Sequence, residues 1–315
     1  MPATPLAHVV RSGFVESVHY GSVVVLGPDG DVLAAAGDPQ EQIFARSSNK
    51  LAQAVAMLRH GLDLDGELLA LAAASHSGEP FHLSAVQRIL GSAGLDETSL
   101  QNTADLPYDD VERRAWLATG LEPVPLAQNC SGKHAAMLAT CVAAGWDLAT
   151  YRDPDHPLQQ AIAQTLAELA GEPVTATGVD GCGAPVMAQS LTGLARSFQA
   201  MAVAPAASEA GRVAAAVRAH PEYLGGTRRD VTALIRAVPG LIAKDGAEAV
   251  YAAALDDGHA VALKIADGGQ RARPVVMAEA LRVAGVPASA LDALRAAPVL
   301  GHGQPVGAVR ALPLG

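Results

Sequence analysis

The sequence predicts an α+β protein in which both ends of the chain build one antiparallel sheet and a helical lobe is inserted between them. Three observations predict this class: apolar and polar residues alternate near the N-terminus, helical periodicity dominates the middle, and strand patterns return after residue 239. We expect a single domain over residues 1–315, with a sheet lobe of about 1–45 and 239–315 and a helical lobe of about 46–238. A cleft between the two lobes is the natural place for a pocket.

The elements follow in order along the chain. Alternating residues from His8, interrupted by the turn signal "GPDG" at 27–30, predict opening antiparallel strands. "GLIAKDG", "AVYAAALDD" and "AVALKIADG" predict three short strands near the C-terminus, and the Pro- and Gly-rich tail is expected to add an edge strand. Helical periodicity predicts helices over 47–62, 83–93, 132–144, 157–169, 208–219, 229–238 and 274–284.

Composition narrows the function classes. Half of the 315 residues are apolar and the net charge is −10, which argues against a nucleic-acid partner because phosphate contacts need clustered Lys and Arg. Neither a signal-peptide pattern nor a membrane-spanning apolar run is apparent. Three cysteines are too few for a disulfide framework, so we expect a cytoplasmic protein without a membrane partner.

The segment "RSSNK" at 46–50 places Ser47 three residues before Lys50 at a predicted helix start. Residues three apart share a helix face, and a lysine of lowered pKa can accept the proton of a serine nucleophile. S-x-x-K therefore predicts a catalytic pair, although a serine N-cap followed by a solvated lysine has the same pattern.

Three further segments hold polar groups beside glycine. "ASHSGE" at 74–79 ends an apolar run and indicates either a close backbone approach to a ligand or an ordinary exit from a helix. "NCSGKH" at 129–134 and "DGCG" at 180–183 contain Cys130 and Cys182, which can form half of a metal site or be two buried thiols. Cys141 is interpreted as a core residue.

Two lysines compete for a role on the C-terminal strands. Lys244 lies in a K-x-G pattern at a strand end, and Lys264 lies on a later strand. The order S-x-x-K helix, helical middle, K-x-G strand, two strands and final helix is similar to the layout of serine β-lactamases and penicillin-binding proteins.

The segments "HVVRSGFVESVHYGSVVV", "RSSNKLAQAV", "ASHSGE", "NCSGKHAAML", "GVDGCGAPV" and "AKDGAEAVY", taken together, resemble the asparaginase II family, also called the Rhizobium-type L-asparaginases. The resemblance runs from about residue 8 to residue 264. It implies a fold related to serine β-lactamases and glutaminases, and the hydrolysis of L-asparagine to L-aspartate and ammonia through an acyl-enzyme. It also implies a homodimer and no organic cofactor.

The resemblance implies a role for each matching residue. Ser47 would be the nucleophile and Lys50 its base, and Ser77 with Lys244 would form a second Ser–Lys tandem. One zinc ion per chain would be held by Cys130, Lys133 and Cys182, with Asp180 beside them.

The substrate is expected to contact Arg46 and His134. Arg46 can hold a carboxylate as a bidentate pair, unless it is a buried structural arginine. The backbone N–H of Ser47 can stabilise the oxyanion. The alternatives are a related amidase or glutaminase, a lactam-hydrolysing serine enzyme, or a non-catalytic relative that binds zinc or an amino acid.

Overall fold

A computed structural model describes residues 3–314 of the chain. Its main sheet has eight antiparallel strands in the order β10–β11–β1–β2–β9–β8–β7, with β3 paired to β2 beside this path, and a second sheet has the order β4–β6–β5. The strands are β1 Thr4–Arg11, β2 Phe14–Leu26, β3 Val32–Ala36, β4 Gln42–Phe44, β5 Thr177–Val179, β6 Pro185–Ser190, β7 Ile242–Asp245, β8 Val250–Ala254, β9 Ala260–Ile265, β10 Ala297–Gly301 and β11 Gln304–Ala311.

The long strand β2 joins the two halves of the main sheet. Its first part pairs with β1, and from Gly21 onward it pairs with β9. A Cβ on Gly21 would lie 2.2 Å from the carbonyl oxygen of Lys264, so the close approach of the two backbones requires glycine here. The main sheet therefore takes its strands from both chain ends, which confirms the predicted α+β class.

Twelve helices connect or cover the strands in the described range. Helix α7 packs against β2, β8 and β9, and α11 packs against β1, β2, β8, β9 and β11. Their bounds are α1 Lys50–Arg59, α2 Gly66–Ala72, α3 Pro80–Ser92, α4 Asp110–Ala118, α5 Ser131–Ala144, α6 Pro157–Ala170, α7 Leu191–Ala202, α8 Glu209–Ala219, α9 Pro221–Leu224, α10 Asp230–Ala237, α11 Arg273–Val283 and α12 Ala288–Leu291.

Each helix predicted from periodicity is present within a few residues of its expected bounds. The first one begins as a 3₁₀ turn over Arg46–Asn49 before α1 continues. The expected edge strand in the tail is present as the hairpin β10–β11, with β10 at the edge. No helix within residues 3–314 has the length and apolarity needed to cross a membrane.

Candidate active site

A small cleft lies where the 3₁₀ turn before α1, the segment after α2 and the end of β7 meet. Its volume is about 60 Å³, and one water needs roughly 10–15 Å³ on this scale, so it admits a small molecule and not a polypeptide. The residues that line it are Ser47, Ser75, Tyr108, Asn129, Arg229, Asp245, Gly246 and Ala247.

Ser47 and its neighbour Ser48 have different environments. Ser47 is half-buried, lines the cleft, and its hydroxyl has no hydrogen-bond partner among residues 3–314. Ser48 is fully buried, and its hydroxyl donates to the carbonyl of Lys244 at 3.1 Å. Of the two serines, only Ser47 is therefore placed to reach a ligand in the cleft.

The turn that carries Ser47 packs directly on the end of β7. A Cβ on Gly246 would lie 2.9 Å from both the carbonyl oxygen of Ala45 and the hydroxyl of Ser48. Only glycine therefore fits between strand and turn, which explains the glycine of the K-x-G pattern. Arg46 precedes Ser47 with a positive φ of 52°, a conformation that costs a non-glycine residue about 1–3 kcal/mol.

Lys50 lies behind the cleft and is 1% exposed. Its ammonium donates to the carbonyl of Ala74 at 2.6 Å and to the hydroxyl of Ser75 at 3.1 Å, and it lies 3.1 Å from the sulfur of Cys130. Because Ser75 also lines the cleft, its hydroxyl connects the buried amine of Lys50 with the space in front of Ser47.

Lys244 is fully buried at the end of β7. Its ammonium donates to the carbonyl of Asp245 at 2.6 Å and to the Asp245 carboxylate at 3.0 Å. Burial lowers the pKa of Lys244 to about 8, against the opposing effect of Asp245 and with help from the charges of Lys50 and Arg229. An amine with this pKa can exchange a proton near neutral pH.

Asp245 is the centre of a buried ion-pair cluster. Its carboxylate contacts Arg229, Lys244 at 3.0 Å and Arg273 at 3.2 Å, and Arg273 also pairs with Asp230 at 2.9 Å. Burial opposes ionisation, but the charges of Arg229, Lys244 and Arg273 hold the pKa of the Asp245 carboxyl well below its usual range. Asp245 is therefore ionised at neutral pH.

Ser77 is fully buried, and its hydroxyl donates to the carbonyl of Gly225 at 2.9 Å. The structure does not bring Ser77 to Lys244; the serine of the same segment that contacts a buried lysine is Ser75. Lys264 donates to the carbonyls of Glu248 and Ile265, at 2.5 and 2.8 Å.

Arg46 is paired with Asp180 at 2.7 and 2.9 Å, and Arg229 is the arginine that lines the cleft. The sequence reasoning did not single out Ser75, Tyr108, Asn129, Arg229 or Asp245 as site residues. Ser75 and Asp245 lie inside the quoted segments "ASHSGE" and "AKDG", whereas the sequence held no signal for Tyr108 or Arg229.

The predicted metal-binding residues do converge. Cys130 and Cys182 pack against each other with Ala184, and the amine of Lys133 lies 3.1 Å from the sulfur of Cys182. A hydrogen bond from Cys130, together with the charge of Lys133, holds the pKa of the Cys182 thiol well below its usual range. The same contact and burial raise the pKa of Cys130. The ammonium of Lys133, 3.1 Å from the sulfur of Cys182, thus favours the thiolate form of Cys182.

His134 lies next to this cluster and is fully buried. Its Nδ1 lies 2.7 Å from the hydroxyl of Tyr151, and its Nε2 has no hydrogen-bond partner among the described residues. Burial and the charge of Lys133 lower the pKa of His134 to about 4, so the ring is neutral at physiological pH.

Cys130, Lys133 and Cys182 form a candidate donor set for a zinc ion. Zinc takes thiolate and nitrogen ligands, and two sulfurs with the amine of Lys133, once it has lost its proton, meet that chemistry. No group of three His, Cys, Asp or Glu side chains within residues 3–314 is arranged to hold a metal, so the set depends on Lys133 as its third donor. On donor chemistry, Cys130, Lys133 and Cys182 fit zinc.

Solved structures similar to this chain were found at low identity. A β-lactamase from Mycobacterium bovis is 15% identical, with 79% of this chain and 88% of that chain covered and a TM-score of 0.42. EstCE1, described as a hydrolase with promiscuous acyltransferase activity, is 14% identical over 82% of this chain and 93% of that chain, with a TM-score of 0.41. A comparison with curated protein sequences gives no match.

A match to a protein-family model identifies the class of protein. The model of the family described as L-asparaginase II matches residues 7–311, nearly the whole chain. The protein is therefore a hydrolase of the amidohydrolase class. Within that class, the chain belongs to the L-asparaginase II family.

Proposed function

We propose that the protein is an L-asparagine amidohydrolase that forms an acyl-enzyme on Ser47. The observation that carries the proposal is the free hydroxyl of Ser47 in a small cleft, in a chain of the L-asparaginase II family. Two buried lysines lie behind this cleft, and each is held close to a cleft-lining residue: Lys50 to Ser75 and Lys244 to Asp245.

The chemistry needs a base for Ser47 and an acid for the leaving group. The Ser47 hydroxyl attacks the side-chain amide carbon and passes its proton to a buried lysine, with Ser75 as the relay to Lys50. The C–N bond then breaks, and ammonia leaves with a proton returned from a lysine. Water cleaves the ester by the reverse proton path, so asparagine and water give aspartate and ammonia.

Lys244 suits the proton-transfer role by its pKa of about 8. At pH 7 such an amine is neutral in roughly one molecule in ten, enough to serve as a base without a metal or a cofactor at its nitrogen. The backbone N–H groups of Ser47 and Ala247, both residues of the cleft wall, are the proposed donors to the oxyanion.

Zinc is proposed at Cys130, Lys133 and Cys182. A bound zinc ion supplies positive charge and fixed ligand geometry at this position. Among the chain's own residues, Cys130 links this set to Lys50, whose ammonium lies 3.1 Å from its sulfur. The thiol cluster therefore orients Lys50 toward Ser75.

Ammonia release from L-asparagine tests the proposal, with Ser47→Ala compared with Ser48→Ala. We expect Ser47→Ala to lose at least about 10³-fold in kcat, because removing a nucleophile abolishes covalent catalysis. Ser48→Ala should keep much more activity than Ser47→Ala, because Ser48 does not line the cleft and its hydroxyl is bonded to the carbonyl of Lys244. Near-wild-type activity of Ser47→Ala would refute the mechanism. Equal or faster hydrolysis of L-glutamine or a chromogenic lactam by the wild type would refute the substrate.

A further inference from the structure

Arg229 is the cationic side chain that lines the cleft, and the proposed chemistry leaves it without a role. Its guanidinium donates to the carbonyl of Ser75 at 3.3 Å, pairs with Asp245, and lies 4.6 Å from the centre of the Tyr108 ring. Arginine has five N–H donors, and these contacts use only some of them. The remaining N–H groups can donate to a planar anion such as a carboxylate.

The charges around Arg229 do not cancel. Asp245 contacts three cations, Lys244, Arg229 and Arg273, and Asp230 adds a second carboxylate through Arg273. When Lys244 is protonated, three positive charges face two negative ones. A buried excess charge is unfavourable unless a counter-charge reaches it. The cleft is the side from which that counter-charge can come, because Arg229 and Asp245 both line it.

The short loop that carries Arg229 is fastened by the "ASHSGE" segment. The Ser77 hydroxyl donates to the carbonyl of Gly225 at 2.9 Å. The Glu79 carboxylate accepts both the backbone N–H of Thr227 at 2.7 Å and its hydroxyl at 2.8 Å. The segment thus places three hydrogen bonds on the residues just before Arg229.

The fit between segment and loop is close. Gly226 has a φ of +137°, and a Cβ there would lie 2.1 Å from the hydroxyl oxygen of Ser77. The backbone N–H of Ser75 also donates to the carbonyl of Leu224 at 3.0 Å. A loop held at this many points fixes the position of its arginine, which is what bidentate recognition requires.

We propose that Arg229 binds the α-carboxylate of the substrate, and that Ser77 and Glu79 are positioning residues that hold it there. The inference rests on the proposed function and names the group by which that site selects its substrate. It makes the cleft selective for amides that carry a carboxylate on the neighbouring carbon. Ser77 then acts through Arg229 rather than on the reacting amide.

Two substrates separate recognition from chemistry: L-asparagine, and 3-aminopropanamide, which is asparagine without its carboxylate. The wild type should prefer L-asparagine in kcat/KM by on the order of 100-fold, the scale for one buried charge pair. Arg229→Gln should lose a similar factor on L-asparagine, mainly through KM, and change little on 3-aminopropanamide. Arg229→Lys keeps the positive charge but lacks the planar guanidinium that makes two parallel hydrogen bonds. Its kcat/KM for L-asparagine should lie between those of the wild type and Arg229→Gln.

Arg228→Gln is the matched control. Arg228 is the next residue of the same loop and pairs with Asp109 and Glu112 at 2.8 and 2.6 Å, outside the cleft lining. We expect the preference of Arg228→Gln for L-asparagine over 3-aminopropanamide to stay within about threefold of wild type, because an exposed ion pair contributes only about this much. Glu79→Gln weakens the hold on Thr227 and should raise KM for L-asparagine selectively.

Three outcomes would overturn the inference: an equal loss of Arg229→Gln on both substrates, an unchanged preference, or a wild type that does not discriminate. If Arg229→Gln does not fold, inhibition of the wild type is the second test. L-Aspartate should inhibit more strongly than β-alanine, which lacks the α-carboxylate. Equal inhibition by the two compounds would contradict the inference. Failure of the proposed function looks different, since the wild type would release no ammonia from L-asparagine. Calorimetric binding of L-aspartate to wild type and Arg229→Gln would then still test the carboxylate site.

Discussion

Gly246→Ala tests whether the fit between β7 and the 3₁₀ turn sets the position of the nucleophile. The new Cβ would lie 2.9 Å from the Ala45 carbonyl oxygen, 2.9 Å from the Ser48 hydroxyl and 3.2 Å from the Ser48 nitrogen. Optimal contacts are roughly 3.5–4.0 Å, so strand and turn must separate by about 0.5 Å. Two of the three atoms are rigid backbone next to Ser47, and the displacement therefore reaches the nucleophile.

We expect the free energy of unfolding, measured by urea titration, to fall by about 1–3 kcal/mol, the usual cost of overpacking. The kcat for ammonia release should fall by about tenfold or more, because a misplacement of 1 Å can cost roughly 100-fold.

Gly91→Ala is the control, since its Cβ meets nothing within 4 Å in helix α3 and its φ is not positive. It should leave kcat unchanged and stabilise the protein by about 0.5–1 kcal/mol. A Gly246→Ala protein that keeps wild-type kcat would refute the argument, whatever its stability.

Three more predictions follow from buried groups. Lys264→Met removes the hydrogen bond to the Glu248 carbonyl, next to Ala247, whose backbone N–H is a proposed donor to the oxyanion. This variant should lower kcat with little change in KM, and Lys264→Arg should keep part of the wild-type kcat. Elemental analysis should find about one zinc per chain, and Cys182→Ser should lose it while Cys141→Ser keeps it. The pKa of Lys244 falls from 10.5 to about 8 on folding, so the unfolded chain binds more protons between these values. The unfolding free energy should therefore rise across that pH window by up to about 3 kcal/mol, and Lys244→Met should abolish this rise.

The sequence predicted the plan of the fold because each element it found shows a clear period. Helix α7 was missed although its sequence is amphipathic and nine of its twelve residues are buried. Helix α4, in which none of the residues is buried, was also missed. In the small sheet, β4 pairs with β6 from more than 130 residues away, which no local pattern encodes.

The candidate site shows the same limit at the scale of single side chains. The helix argument placed Ser47 and Lys50 on one face, and of the two neighbouring serines Ser47 does line the cleft. The amine of Lys50, however, contacts Ser75 and not Ser47, because Ser47 lies in the 3₁₀ turn before α1 and not in the regular helix. Ser75 and Ser77 lie outside any helix or strand, and only their tertiary contacts with Lys50 and Gly225 distinguish them. Spacing along the sequence does not encode such contacts.

Substrate recognition and proton transfer share the carboxylate of Asp245, and this sharing gives them opposite pH dependences. Lys244 must lose its proton to act as a base, so kcat should rise with pH through about 8. The same proton loss removes the excess positive charge that favours a carboxylate at Arg229, since three cations and two anions become two of each.

The KM for L-asparagine should therefore rise above pH 8, and the KM for 3-aminopropanamide, which has no carboxylate, should not share this rise. Parallel pH profiles of KM for the two substrates would show that Asp245 does not couple the two steps. Divergent profiles that become parallel in Arg229→Gln would locate the coupling at this arginine.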